Sequence, residues 1–490
     1  MSASDSDHNL GKRVHRSLAW AGLASSLVGV LDILATVLIV AFWIPKEDFG
    51  VAALAFTMFP VLDIATDLGL ASAVIQRDDH SQSRISTVFW LNVGMSLFLL
   101  VTLSFGIGPL LAHVHNHPIL ASLLTVYGLK LVWQNVYFLP YALMKREFRF
   151  KELSVIRIIA NIAEFSAKVG FAAGGFGIWC FIAGPLARVL VTGVGVQLRN
   201  PWRPSFVFKF GEGWDWAKFG IKTSAHKLLF RLYSLADKQA VGYYFGDAAL
   251  GVYAIAYQVV LEPALVISEI TINVAFPAFA KLKYDTVKLY EQLVGFCKMN
   301  LVVMLLFIGF AFVAAEEILA LFSLSEGNDY SSGAPIVRLL CGVAILRALS
   351  FVIPPFLDGV GRPTLTLVYT AVAAVSLSLL FVIFANVFSE LQAVSIALAW
   401  LVGYPIAFLV LIAMAFAVLE MPSYKLYARL SGIFACGLGA TALAALAKWG
   451  TMSLPIPARA AVIALVMVGS YAFFLSKFQG ISLRSIRKSL

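Results

Sequence analysis

Between Ala225 and Phe245 the chain reads AHKLLFRLYSLADKQAVGYYF, long enough to cross a membrane, yet it carries His226, Lys227, Arg231, Asp237 and Lys238. At 100° per residue Lys227, Arg231 and Lys238 fall within about 40° of one another. They make one cationic face, and the chemistry of such a face is the holding of anions. An ammonium acts as a point charge, and a guanidinium as a fork that matches phosphate or carboxylate. Each Lys or Arg at mid-span costs about 2.5–3.5 kcal/mol, against roughly 0.3–0.6 returned by a Leu, Ile, Phe or Val. The segment therefore needs acidic partners, neighbouring helices or water. Three blander arrangements also fit: snorkelling of Lys222 and His226 at the helix end, an Asp237–Lys238 pairing, or a helix lying in the interface. For Arg231 at the midpoint, cavity lining is the favoured reading.

Other charges repeat the pattern. Arg157, Asn161, Glu164 and Lys168 share a helical face, which reads either as a site or as a ladder of Glu164 with Lys168 or Arg157. Glu262, Glu269 and Asn273 align in the same way, and Asp63 and Asp67 stand one turn apart. Such acids neutralise basic stripes, carry protons or bind sodium, so Asp63, Asp67 and Glu164 are the ion-coupling candidates. Arg338 and Arg347 face opposite ways, so at most one shares a given cavity wall; both join Lys227, Arg231, Lys238, Arg157 and Lys168 as candidate substrate-binding cations. Lys130 and Arg188 are lone charges without a stripe. Embedded bases outnumber the embedded acids, and a low-dielectric interior of that sign concentrates phosphate or pyrophosphate and repels organic cations.

The absent chemistry narrows the class. No Gly-rich loop ends in Gly-Lys-Ser or Gly-Lys-Thr, and no His-Glu-x-x-His occurs. Cys180, Cys297, Cys341 and Cys436 stand singly in apolar runs, which indicates neither a disulfide framework nor a zinc site. His113, His115 and His117 read as a solvated loop. No catalytic residue, metal or cofactor is expected.

These charges must be positioned by helices in lipid. Of 490 residues 60% are hydrophobic and 13% charged, where a soluble domain averages roughly 25% charged. Apolar runs of about 20 residues recur from Ser17 to Leu475. Spans are expected near Ser17–Trp43, Val51–Val74, Ile85–Leu110, Ile119–Met144, Leu153–Ala173, Ile178–Leu198, Trp216–Phe245, Ala248–Pro277, Leu293–Ala314, Ala334–Leu357, Thr364–Val387, Leu391–Ala417, Tyr424–Leu446 and Ala458–Leu475. The fold class is thus an all-α polytopic membrane protein of about fourteen helices. The basic stretch RNPWRPSFVFKFGEGWDW reads as a linker, giving an N-terminal lobe at 1–198, a linker at 199–214, a second lobe at 215–420 and a terminal helix pair with a basic tail at 421–490.

Alternate loops hold the Lys and Arg, with Lys145, Arg146, Arg149 and Lys151 in one and Arg199, Arg203 and Lys209 in another. The opposite side has little beyond Lys46, Lys448 and Arg459. The net charge of +10 therefore reflects the positive-inside rule, with both termini cytoplasmic, and not a nucleic-acid partner. FGVAALAF from Phe49 echoes LGVYAIAY from Leu250, six spans later. Pro60 and Pro263, and Pro185 and Pro405, fall in matching helices. Two parallel six-helix lobes around a central cavity, plus a terminal pair, fit a transporter.

The stretches DLGLASAVIQR, STVFWLNV, REFRFKELSVI, GGFGIW, NPWRP and ADKQAVGYYFGDAALGVYAIAYQV occur in that order. Together they resemble polysaccharide transporters of the Wzx type, in the multidrug/oligosaccharidyl-lipid/polysaccharide exporter superfamily. The resemblance implies a multi-pass protein of the bacterial inner membrane. It implies a flippase that carries undecaprenyl-pyrophosphate-linked oligosaccharide across by alternating access, for exopolysaccharide, capsule or O-antigen synthesis. It also implies membrane lipids, a polysaccharide polymerase and export machinery as partners. An ion-coupled multidrug/cation antiporter of the same superfamily is the alternative, and a membrane-embedded polymerase the enzyme alternative.

Overall fold

The computed structural model describes residues 29, 31–67, 81–147, 149–207, 209–324 and 328–481; the side chains at 67, 210, 212–227, 266–274, 276–277 and 280–281 lie outside that description. The described residues form helices joined by short turns, with no strand among them. In chain order they are α1 (Leu31–Phe42), α2 (Lys46–Asp67), α3 (Gln82–Val114), α4 (Ile119–Arg146), α5 (Phe150–Ala173), α6 (Cys180–Arg199) and α7 (Phe210–Leu282). Then follow α8 (Thr286–Val313), α9 (Ala315–Ala320), α10 (Ala334–Ser350), α11 (Ile353–Gly359), α12 (Pro363–Val387), α13 (Ala393–Leu419), α14 (Tyr424–Gly450) and α15 (Ile456–Gln479).

Eleven spans among the described residues are long and apolar enough to cross a membrane. They differ from the expected set of about fourteen in three places. Only α1, a short helix, is described from the first expected span. α5 has the length of a span, but Arg157, Glu164 and Lys168 interrupt its apolar run. The seventh and eighth expected spans follow one another as two helices that meet at a kink inside α7, which counts once among the eleven; the non-helical residue there is Gly246, with φ 81° and ψ −178°. That backbone conformation is open essentially to glycine alone. α7 also begins at Phe210, inside the stretch expected to be linker.

The chain divides into two compact units, Met1–Leu232 and Tyr233–Leu490, with the boundary inside α7. In the first unit α5 packs along α6, and α4 packs against α3 and α6. Tyr137, Met144, Leu153, Ile156, Val189 and Val196 form a core where α4, α5 and α6 meet. In the second unit α10 lies against α8 and α13, α12 against α13, and α14 and α15 pair and pack on α8. Outward-facing residues such as Val375, Leu379, Leu438 and Leu465 are exposed and apolar, as lipid requires, and the helices satisfy their own backbone groups.

Residues 200–207, with Lys209, form a strap across the start of α3. The Ser205 amide and hydroxyl meet the Ser86 hydroxyl at 3.0 and 2.9 Å, and the Lys209 amide donates to the Thr87 hydroxyl at 3.1 Å. Trp90 Nε1 donates to the Ser205 carbonyl at 3.0 Å, and Gln82 Nε2 to the Arg203 carbonyl at 3.0 Å. The stretch read as a linker is thus held on the first unit by its backbone.

Candidate functional site

In the first unit α1, α2, α4, α5 and α6 each contribute charge to one network. Asp63 of α2 accepts from Lys130 Nζ at 2.7 Å and from the Tyr127 hydroxyl at 2.9 Å, both on α4. Phe59 stacks on Tyr127 with centroids 3.6 Å apart. On α5, Glu164 pairs with Lys168 at 3.0 Å and with Arg188 of α6 at 3.1 Å; Lys168 reaches Asp32 at 3.2 Å. A Cβ at Gly184 of α6 would collide with the Lys168 side chain, so glycine there lets the methylene stem cross the helix.

Polarity alternates across this network. Lys130 is buried, with 2% of its side chain exposed, beneath Asp63 at 36%. Glu164 is buried, at 4%, beneath Arg188 at 39%. Buried ions need paired partners, and here each hidden charge supports an open one of opposite sign. The open members are chemically useful: Arg188 presents a guanidinium to an anion, and Asp63 and Asp32, the latter 43% exposed beside Lys168, present carboxylates to a proton or cation. The network holds Asp32, Asp63 and Glu164 against Lys130, Lys168 and Arg188, so it is balanced within itself.

The candidate residues separate. Asp63, Glu164 and Lys168 come together in the network, as the ladder reading of α5 anticipated for Glu164 and Lys168. Arg157 is exposed on the same helix. Arg231 is half-buried on α7 in the first unit. The side chains of Lys227 and Asp67 lie outside the described residues. Lys130 and Arg188, read as lone charges, are central partners, and Tyr127 and Asp32 complete the set. The missed signal was Lys130 itself: a lysine at mid-span must find a carboxylate.

Lys238 and Arg347 belong to the interior of the second unit. Asp237, fully buried, accepts from the Tyr253 hydroxyl at 2.7 Å, Trp400 Nε1 at 2.8 Å and the Lys238 amide at 2.7 Å. The Lys238 ammonium sits 4.4 Å from the Tyr257 ring centroid. Arg347, also fully buried, donates to the Tyr257 hydroxyl at 3.3 Å and the Ser234 hydroxyl at 3.2 Å, with Trp400 5.0 Å from its guanidinium carbon. Hydroxyls and ring faces solvate these cations. Arg347 therefore joins α7, α10 and α13 and reaches no surface in this conformation.

Arg338 lies elsewhere, in an ion-pair clasp. It meets Glu316 of α9, while Lys448 of α14 contacts Glu316 at 2.6 Å and Glu317 at 2.8 Å, and Arg459 of α15 contacts Glu317 at 2.6 Å. The two arginines of α10 thus point to different surroundings, as their spacing indicated.

The family described as "Polysaccharide biosynthesis protein" matches residues 39–326. Teichuronic acid biosynthesis protein TuaB of Bacillus subtilis is 32% identical over 294 residues, covering 58% of this chain and 59% of that protein. Lipopolysaccharide biosynthesis protein WzxC of Escherichia coli is 27% identical over 350 residues, covering 67% of this chain and 66% of that protein. The match spans less than two thirds of either relative. The solved structure "Lipid II flippase MurJ, inward closed conformation" superposes with a TM-score of 0.72, covering 95% of this chain and 98% of that one at 14% identity. At that identity the likeness is one of fold.

Proposed function

Because the chain belongs to the family of polysaccharide biosynthesis proteins, we propose that it is a flippase moving undecaprenyl-pyrophosphate-linked oligosaccharide across the bacterial inner membrane by alternating access, with both termini cytoplasmic. The observation that carries this reading is Arg188: a half-open guanidinium embedded among apolar helices, held in place by a carboxylate beneath it. Such a cation is already positioned, and its open side suits a pyrophosphate headgroup. Arg231, Arg157 and Lys168 are the further anion contacts in this unit, with Lys227 one turn before Arg231 on α7. Asp63, half-open above a buried lysine, is the ion-coupling residue, with Glu164 as its electrostatic neighbour. No covalent step is required, since headgroup passage needs only binding, release and a change of access.

The test is export in cells. Arg188→Ala, and Arg231→Ala combined with Lys227→Ala, should reach the membrane in normal amount and lower polymer export by about tenfold, the effect of losing roughly 1.4 kcal/mol of contact. Arg231→Lys should retain more. Normal export by all the alanine variants at normal protein level would remove the anion site, and the flippase reading with it.

A further inference from the structure

The strap carries a second feature, independent of the transport site. It lies at the end of the first unit where α3 and α5 begin and α4 and α6 finish: Asn200 Nδ2 donates to the Pro140 carbonyl at 3.3 Å, and Arg149 Nη2 to the Arg199 carbonyl at 3.1 Å. Lys145, Lys151, Arg199, Arg203 and Lys209 are exposed at this end. The carboxylates described among them are Glu147 and Glu152, and Arg149 grips Glu152 through Nε at 2.8 Å and Nη2 at 2.9 Å. That grip holds the Glu152 carboxyl below its ordinary value. The surface is therefore strongly positive.

It is also aromatic. Phe206 is 94% exposed, yet its ring stacks on Trp90 with centroids 5.5 Å apart and planes 26° apart. The strap's amides and carbonyls are bonded to α3, which fixes a protruding ring between two exposed cations, Arg203 and Lys209. A rigid, open aromatic beside basic residues at the end of membrane-crossing helices has the composition of a headgroup-layer anchor.

We propose that the strap docks the anionic phospholipid headgroups of the surrounding bilayer, with Phe206 set among the headgroups and Arg203 and Lys209 on lipid phosphates. The occupant is lipid because the positive patch lies at the end of membrane-crossing helices and carries an exposed aromatic of the kind a partly apolar layer covers. Docking there fixes the chain just before α7 begins at Phe210. It requires no oligosaccharide and goes beyond the transport reading.

Native mass spectrometry of the purified full chain tests it, with phosphatidylglycerol and phosphatidylethanolamine offered at equal concentration. The wild-type chain should retain phosphatidylglycerol with about tenfold preference. Arg203→Gln/Lys209→Gln should lose most of that preference, and Phe206→Ser should weaken retention of both lipids, each variant eluting as a monodisperse folded protein. Equal retention of the two lipids by the wild type, or unchanged preference in the double variant, overturns the proposal. Displacement of phosphatidylglycerol by inorganic pyrophosphate at similar concentration also overturns it, because the patch would then be a general phosphate site. Loss of export with lipid binding intact would bear only on the flippase reading.

Discussion

At the scale of single residues, Lys130 sets the terms. A lysine buried under a half-open aspartate is held by one carboxylate and one tyrosine hydroxyl, so neutralising Asp63 strands a cation in low dielectric. Asp63→Asn should lower stability, by less than the about 3–5 kcal/mol that breaking a fully buried pair from one side costs, because Asp63 is half-open. Asp63→Asn with Lys130→Met should recover most of it, because no ion is then left to desolvate. Thermal unfolding in detergent measures both; a single variant as stable as the wild type would mean that the pair does not hold Lys130. Arg347→Lys should likewise lower the thermal midpoint although charge is kept, since an ammonium cannot span Tyr257 and Ser234 while stacking on Trp400. The sequence showed that these cations needed partners but not which ones. Helical spacing reads neighbours along one helix, as with Glu164 and Lys168, whereas Lys130 with Asp63 and Arg188 with Glu164 are pairings across helices that only packing creates.

At the scale of elements, two joints govern how helices are held. Gly246 interrupts α7 in a conformation that side chains resist, and nothing crowds the position of a Cβ. Gly246→Ala should therefore cost about 1–3 kcal/mol through backbone strain alone, read as a drop in thermal midpoint with unchanged helix content. The turn was legible because Asp247 and Gly246 interrupt the apolar pattern; that it spans one residue was not, since hydropathy does not report dihedral angles. The other joint is the clasp. Burial raises the Glu316 carboxyl pKa, but hydrogen bonds from Lys448 and Arg338 outweigh it and bring it below the ordinary 4.5. A carboxylate depressed in the folded state stabilises above its unfolded value and loses that contribution as pH falls through its folded one. The thermal midpoint should hold steady down to about pH 5 and then fall, and Glu316→Gln should remove that part of the acid dependence. A clasp without influence on stability would give parallel curves for variant and wild type. Lys448 and Arg459 were visible in the sequence as stray charges on the sparsely basic side; their shared carboxylates follow from α9 turning back against α14 and α15.

For the molecule as a whole, apolar length alone made the polytopic class plain, because a chain dissolved in lipid must be greasy over each crossing and polar between crossings. The exception proves instructive: α5, the helix that carries Arg157, Glu164 and Lys168, falls short of an apolar span, and it is the helix at the centre of the charge network. α5 thus carries its ion pairs at the expense of apolar length. The open guanidinium of Arg188 and the open carboxylate of Asp63 then separate two cargoes. A flippase for phosphorylated lipid would use the first to bind and the second to couple, whereas an exporter of organic cations would bind at the acid and be repelled by the base. Deleting the protein should abolish the surface polymer and leave lipid-linked repeat units on the cytoplasmic leaflet, while sensitivity to organic-cation drugs stays unchanged. Lipid extraction with leaflet-selective labelling and growth inhibition measure the two arms. Drug sensitivity rising with polymer intact would assign the site to cation export, because the half-open carboxylates of Asp63 and Asp32 would then be the groups that attract the cargo.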